Sequence, residues 1–176
     1  KLVADQAGVT QAEWVLVRGS ELNSRMDAVL DSIEGRFSYP VFVKPAGTGS
    51  SVGVSKANDR EQVREALTEA AKYDEKILAE EFIKGREIEV AVMGNDSPVA
   101  SVCGEIDSGA ELYDYVAKYV TDTSVAYIPA RISEDVAEQV REIAVKIYRA
   151  VDCRGLSRVD FFVTDEGRIV FNEINT

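Results

Sequence analysis

An α+β arrangement in two lobes is what this sequence predicts. Strand-like and helix-like segments are mixed along the 176 residues. Turn signals such as Lys84-Gly85 and Asp165-Glu166-Gly167 join neighbouring strands as hairpins. The regular strand–helix–strand alternation of a parallel sheet is absent. The pattern divides near Glu87, into lobes of residues 1–87 and 88–176.

Each element has its own local cause. Lys1–Ala7 is short and helix-compatible, ended by Gly8, and Ala12–Val17 reads as a strand. Ser20 is the expected cap of a helix running to about Ile33, closed by Glu34-Gly35. Pro40 opens the compact apolar strand Val41–Val43, which runs into Lys44. Asn58-Asp59 caps a helix from Arg60 to Lys72. Lys76–Ile83 and Glu87–Met93 are strands about the Lys84-Gly85 turn, and Asn95-Asp96 turns into a further strand, Pro98–Ile106. Asp107–Val125 lacks periodicity and is rich in tyrosine and charge, so a mobile loop with a short helical piece is expected there. Ser133 caps an amphipathic helix to Ala150, with Val136, Val140, Ile143, Ala144 and Ile147 on one stripe. A hairpin of Ser157–Val163 and Arg168–Asn175 closes the chain. Internal repeats and low-complexity tracts are absent.

Composition narrows the function. The net charge of −11 argues against nucleic acid as the main partner. No apolar run approaches the ~18 residues of a membrane span, which argues against a membrane partner. Only Cys103 and Cys153 occur, so a disulfide scaffold is not expected and a reducing cytoplasm is the default location. Histidine is absent, which removes imidazole acid–base chemistry and ordinary zinc sites. Anionic ligands must therefore be met by placed lysines, arginines, backbone amides and metal.

The closing hairpin holds the first candidate site. Arg158, Asp160 and Phe162 share one side of their strand, and Phe171, Glu173 and Asn175 one side of theirs, because side chains alternate with period two. If Glu166-Gly167 form a two-residue loop, Asp160 lies opposite Glu173 and Arg158 opposite Asn175, with Cβ atoms about 4.5–5.5 Å apart. Facing carboxylates repel unless a cation sits between them. Oxygen-only ligands of this kind suit Mg²⁺ or Mn²⁺. A solvated surface cluster is the competing reading, in which the ion pairs contribute ~0–1 kcal/mol.

Three further stretches bear on it. Lys44-Pro-Ala-Gly-Thr-Gly-Ser-Ser-Val-Gly53 places glycines where backbone can approach a ligand, with Lys44 at the end of a buried strand. It reads as a phosphate cradle, against a merely flexible loop. It is neither a Walker loop nor a dinucleotide-binding fingerprint. In Glu80-Glu81-Phe82-Ile83…Glu87, Phe82 and Ile83 can wall an adenine slot and Glu87 can accept from ribose hydroxyls, although a charged strand–turn–strand is ordinary structure. Tyr113-Asp-Tyr-Val-Ala-Lys118-Tyr119 sits on the expected loop. It can close over a substrate or simply pack beneath, with Asp114 and Lys118 an ordinary i, i+4 pair.

Taken in order over the whole chain, these motifs, with Arg158-Val-Asp160 and Asn172-Glu173-Ile-Asn175, resemble the D-alanine–D-alanine ligase family of ATP-grasp enzymes. The resemblance implies two α+β lobes with the nucleotide between them, and ATP with two Mg²⁺ (or Mn²⁺) ions as cofactors. It implies ligation of two D-alanines into the D-Ala–D-Ala of peptidoglycan precursors, hence a role in cell-wall synthesis. Residue by residue, Lys44 and the loop holding Gly49, Ser50 and Ser51 would meet the phosphates. Glu80, Phe82, Ile83 and Glu87 would form the adenine and ribose side. Lys118 would meet phosphate and Tyr119 would bond towards Ser50. Asp160, Glu173 and Asn175 would bind metal, and Arg158 would steady phosphate and the tetrahedral oxyanion. The Lys118-Tyr119 pair resembles peptide-forming members rather than the D-lactate branch. D-serine remains an alternative acceptor, and nucleotide binding without ligation an alternative function. Family members carry an N-terminal domain and a downstream segment, so a fragment is expected, with ligation belonging to a full-length, homodimeric, cytoplasmic protein.

Overall fold

A computed structural model describes residues 1–48, 52–107 and 125–176. In chain order the described elements are α1 (Leu2–Gln6), β1 (Trp14–Arg18), α2 (Gly19–Glu34), β2 (Val41–Pro45), β3 (Ser55–Ala57), α3 (Arg60–Ala70) and β4 (Lys76–Glu81). Then follow β5 (Arg86–Gly94), β6 (Val99–Ala100), β7 (Gly104–Asp107), β8 (Val125–Tyr127), α4 (Glu134–Ala150), β9 (Gly155–Val163) and β10 (Ile169–Asn175). They fall into two compact units: residues 13–48 with 52–82, and residues 1–12 with 83–107 and 125–176. The sequence pattern suggests one cut after residue 87. The first twelve residues instead join the later unit, because Ala4 and Val9 enter its core and Gln11 bridges Phe171 of β10.

The smaller unit is a four-stranded antiparallel sheet in the order β1-β4-β2-β3. Val17, Val41, Val43, Ile77 and Ala79 point to one face and bury against Leu30 and Ile33 of α2 and Val63 and Leu67 of α3. Each of these Val, Leu and Ile side chains contributes about 1.5–3 kcal/mol when fully buried. The stripe Val63, Ala66, Leu67, Ala70 is the i, i+3, i+4, i+7 pattern of an amphipathic helix. Asp59 caps α3 by accepting from Gln62 N (2.9 Å). Ser20 does not cap α2. Its hydroxyl is committed to Glu75 Oε1 (2.6 Å), and the helix starts earlier, with Glu21 Oε2 accepting from Arg18 N (3.2 Å). The short strand β3 was not legible, since its three residues follow directly on the glycine-rich stretch.

The larger unit is a sheet in the order β10-β9-β5-β7-β8, with β6 also on β5. Ile88, Val90 and Val92 of β5 and Val159 and Phe161 of β9 face Val140, Ala144, Ile147 and Tyr148 of α4. Alternation then turns Glu87, Glu89, Arg158 and Asp160 to the opposite, open face. The expected strand 98–106 is two strands, β6 and β7. Between them Ser101 Oγ accepts from Ala91 N (3.0 Å) and donates to Val102 O (2.8 Å), which breaks the ladder. Strand β8 was not expected from the sequence.

The closing hairpin corrects the expected turn. Thr164 and Arg168 close it, Thr164 N donating to Arg168 O (3.0 Å), so the loop has three residues, 165–167. Gly167 takes φ +82° there, the left-handed position such loops require. Pairing runs Val163↔Ile169 to Phe161↔Phe171, then shifts by one at a bulge, so that Asp160 pairs with Glu173 and Arg158 with Asn175. Phe171 therefore faces the core, packed edge-on against Phe161 at 6.0 Å, and not the side of Glu173. The extra loop residue and the bulge offset each other, and the anticipated pairing at the site results.

Candidate functional site

On the open face of the larger sheet, three strands present a row of carboxylates. Glu89 of β5 lies opposite Asp160 of β9, which lies opposite Glu173 of β10. One step along, Arg158 and Asn175 face each other. Arg158 forks onto Asp160, Nε to Oδ1 at 2.8 Å and Nη2 to Oδ2 at 2.9 Å, and its Nε lies 3.4 Å from Glu89 Oε1. Asn175 Nδ2 donates to Asp160 Oδ2 (3.0 Å). These carboxylates push the Arg158 pKa up, Asp160 contributing most. Asp160 is the most enclosed of the set, its side chain 14% exposed against 49% for Arg158.

Directly opposed like charges destabilise a sheet by some tenths of a kcal/mol or more. Among the described residues, this row sets one guanidinium against three carboxylates. Among the described residues no three His, Cys, Asp or Glu side chains converge as a ready metal cage. What the row offers is an opposed carboxylate pair with an adjacent amide, all oxygen donors, a set whose chemistry fits Mg²⁺ or Mn²⁺. Glu89 was not singled out from sequence. The available signal was its spacing of two from Glu87 on one strand, which puts both on one face.

The smaller sheet also has an open face. Lys44 and Phe42 of β2 share it with Leu78 and Glu80 of β4, since Phe42 pairs with Glu80 and Lys44 with Leu78. Lys44 Nζ lies 2.9 Å from Glu80 Oε2. Glu80 is buried, with Trp14 and Phe42 as its cross-strand neighbours. Enclosing a carboxylate is costly unless it is paired, so the Lys44 ammonium is fixed in place by Glu80 and held on this face. Phe42 stacks on Phe82 at 5.8 Å, and Lys56 Nζ stands 4.7 Å above the Phe82 ring, a cation–π contact with no evident sequence signal.

The adenine-side residues divide between the units. Glu80 and Phe82 belong to the smaller, Ile83 and Glu87 to the larger. Ile83 is buried beside Ala12, Val170 and Phe162, and Glu87 sits opposite Phe162 and Ile106 on the carboxylate face. Gly49, Ser50, Ser51, Lys118 and Tyr119 lie outside the described residues.

The profile of the D-ala D-ala ligase C-terminus matches residues 3–176. The chain belongs to the D-alanine–D-alanine ligase family. A D-alanine–D-alanine ligase of Acetivibrio thermocellus is 54% identical across the whole chain, which covers 47% of that protein. One of Pelodictyon phaeoclathratiforme is 49% identical, again across the whole chain, which covers 49% of it. Among solved structures, the VanG D-Ala:D-Ser ligase of Enterococcus faecalis superposes with TM-score 0.87 at 35% identity, over 99% of this chain and 50% of that one. The D-alanine–D-alanine ligase of Coxiella burnetii does so with TM-score 0.76 at 31% identity, over 99% and 45%. The chain spans about half the length of the curated relatives it matches. The fold is the ATP-grasp fold of this ligase family, built of helices and antiparallel sheets as α+β. No helix among the described residues is long and apolar enough to cross a membrane.

Proposed function

We propose that this chain is the nucleotide- and metal-binding part of an ATP-dependent ligase that joins two D-alanines for cell-wall precursor synthesis in the cytoplasm. The observation that carries the reading is the opposed pair Asp160 and Glu173 with Arg158 on the same face. Family membership supplies the substrates, and relatives at 54% and 49% identity favour D-alanine over D-serine as acceptor.

In this reading Lys44, aimed by Glu80, neutralises nucleotide phosphates. Phe82 and Ile83 line the adenine, and Glu87 accepts from ribose hydroxyls. Asp160, Glu173 and Asn175 would hold two Mg²⁺ ions, which would neutralise phosphate charge. A carboxylate oxygen of the first D-alanine attacks the γ-phosphorus and ADP leaves. The amino group of the second D-alanine attacks the acyl carbon, a proton is lost, and phosphate leaves. Arg158, with five fixed donors, steadies the transferring phosphate and then the tetrahedral oxyanion. Ser50, Lys118 and Tyr119 take the closing-loop roles that the family implies.

The test is calorimetric titration of a non-hydrolysable ATP analogue into the chain, with and without Mg²⁺, repeated on Glu173→Ala. Binding strengthened by Mg²⁺ in the parent and not in the variant is expected. Binding indifferent to both Mg²⁺ and the substitution would remove the metal role from Glu173.

A further inference from the structure

The glycine-rich segment after Lys44 is gripped at its neck by a dipeptide from the α3–β4 connection. Asp74 Oδ2 accepts from Gly47 N at 2.7 Å, while Asp74 Oδ1 accepts from Lys76 N at 3.0 Å. Beside them, Ala46 N donates to Lys76 O (2.8 Å). The returning side of the neck rests on the preceding residue. Gly53, at φ +73°, lies so near that an added Cβ would come within 2.8 Å of Tyr73 Cδ2 and 2.9 Å of Pro45 Cγ. A Cβ on Gly47 would likewise stand 2.8 Å from Asp74 Oδ2. Thr48 Oγ1 reaches Val52 O across the neck (3.4 Å).

The bond from Asp74 to Lys76 N is the ordinary local turn of an aspartate two residues before an amide. The bond to Gly47, 27 residues away in sequence, is not local and needs another account. A carboxylate beside a loop that receives phosphate is electrostatically unfavourable. Its second oxygen is spent on the backbone amide of that loop's first stem, where it fixes the direction in which the following backbone leaves β2.

We propose that Asp74, assisted by Tyr73, is a positioning residue for nucleotide binding, holding Gly47 and Gly53 at the two ends of the glycine-rich segment so that Gly47 and Thr48 leave the strand end next to Lys44 in one direction. The inference rests on the nucleotide reading given above and adds a residue to it that touches no substrate. Two oxygens serving two amides explain why the residue is aspartate. Asparagine offers a single acceptor oxygen and cannot hold Lys76 N and Gly47 N together. Hydrogen bonds from both amides hold the Asp74 carboxyl below the usual carboxylate range, Lys76 N contributing more than Gly47 N. The clamp is therefore intact above that range and is released only as pH falls through the lowered value.

The test combines amide NMR of the ¹⁵N-labelled chain with titration of a non-hydrolysable ATP analogue and Mg²⁺, on the parent, Asp74→Asn, Asp74→Ala and Tyr73→Ala. In the parent, the Gly47 amide should shift in one acid step lying below the ordinary aspartate range, and that step should vanish in Asp74→Asn. Analogue affinity should fall about tenfold in Asp74→Ala, the equivalent of one charge-assisted hydrogen bond, and less in Tyr73→Ala, with thermal midpoints close to the parent's. A Gly47 amide indifferent to Asp74→Asn, or Asp74→Ala binding as tightly as a parent that binds, overturns the inference alone. A parent that binds no nucleotide while its Gly47 amide still reports Asp74 overturns the nucleotide reading, and the positioning role with it.

Discussion

The two faces of the larger sheet carry arginine–carboxylate networks made of the same residue types, and they are built on opposite plans. On the core face Glu105 is 2% exposed and fully engaged. Its Oε1 accepts from Arg86 Nη1 (3.0 Å) and Arg131 Nη2 (2.7 Å), its Oε2 from Arg131 N (2.9 Å) and Nε (3.2 Å). Arg131 also bonds Asp107 (2.7 Å) and stacks on Tyr127 at 3.6 Å. Two arginines and two carboxylates sum to zero. On the open face, Arg158 with Glu89, Asp160 and Glu173 sums to −2 within the set, and the carboxylates stand in register rather than apart. The closed network completes itself and holds β7 and β8 to the start of α4. The open one sets like charges opposite each other, an arrangement that the proposed cation would relieve. Strand parity alone decides which plan a residue joins, since Ile88 pairs with Glu105 and its neighbour Glu89 pairs with Asp160.

If that contrast is right, the largest stability loss belongs to the core-face network. Glu105→Ala takes from Arg131 and Arg86 their shared partner, and a loss of about 1.5–3 kcal/mol is expected for hydrogen bonds to a charged group, although both guanidiniums are nearly half exposed and Arg131 keeps Asp107. Urea unfolding of the chain measures it. The pH profile adds a second check. The Arg131 bonds hold the Glu105 carboxyl below the usual glutamate range, so its contribution is fully present above that range and fades as pH falls through the lowered value. The acid limb of stability against pH should therefore flatten in Glu105→Ala. A variant as stable as the parent would mean that the two faces do not differ as described.

A smaller loss, about 1 kcal/mol, is expected for Gly167→Ala. Nothing lies within 4 Å of an added Cβ, so the cost is that of an L-residue at φ +82°. Because the change keeps both the loop length and the bulge that together set the register at Asp160 and Glu173, Mg²⁺-dependent nucleotide binding should survive it. Its loss would show that the turn, and not the bulge, governs the carboxylate row.

The hairpin also shows what was legible beforehand. Period-two alternation correctly put Arg158, Asp160 and Phe162 on one face, because β9 is regular throughout. It failed at Phe171, which a bulge before Glu173 turns to the core. A bulge depends on how two strands pair and pack in the fold, and no local residue type announces this one. The Lys44–Glu80 pair was legible only as two separate residues, since their meeting depends on the β2–β4 register. Asp74 was not singled out from sequence, since an aspartate two residues before an amide is ordinary turn chemistry, and only the distant Gly47 amide marks it as more. Ser20 misled because a good capping residue was already engaged by Glu75.

The smallest expected effect has the opposite sign and separates the two faces most sharply. Glu173→Gln keeps the size of the side chain and removes one of two charges opposed across β9 and β10. Relief of like-charge repulsion should raise stability by about 0.2–0.5 kcal/mol. Since Glu173 is exposed, the gain should shrink towards zero as salt is raised from about 0.01 M to 1 M, where screening falls within about 3 Å. Saturating Mg²⁺ with nucleotide should reverse the order: the parent gains stability by linkage, and the variant, lacking the carboxylate charge proposed to hold metal, gains less. Thermal melts at two salt concentrations, each with and without Mg²⁺ and nucleotide, read all four corners. A parent already more stable than Glu173→Gln in low salt without metal would mean that the carboxylate row is satisfied within the protein, as Glu105 is, and that its charge calls for no cation.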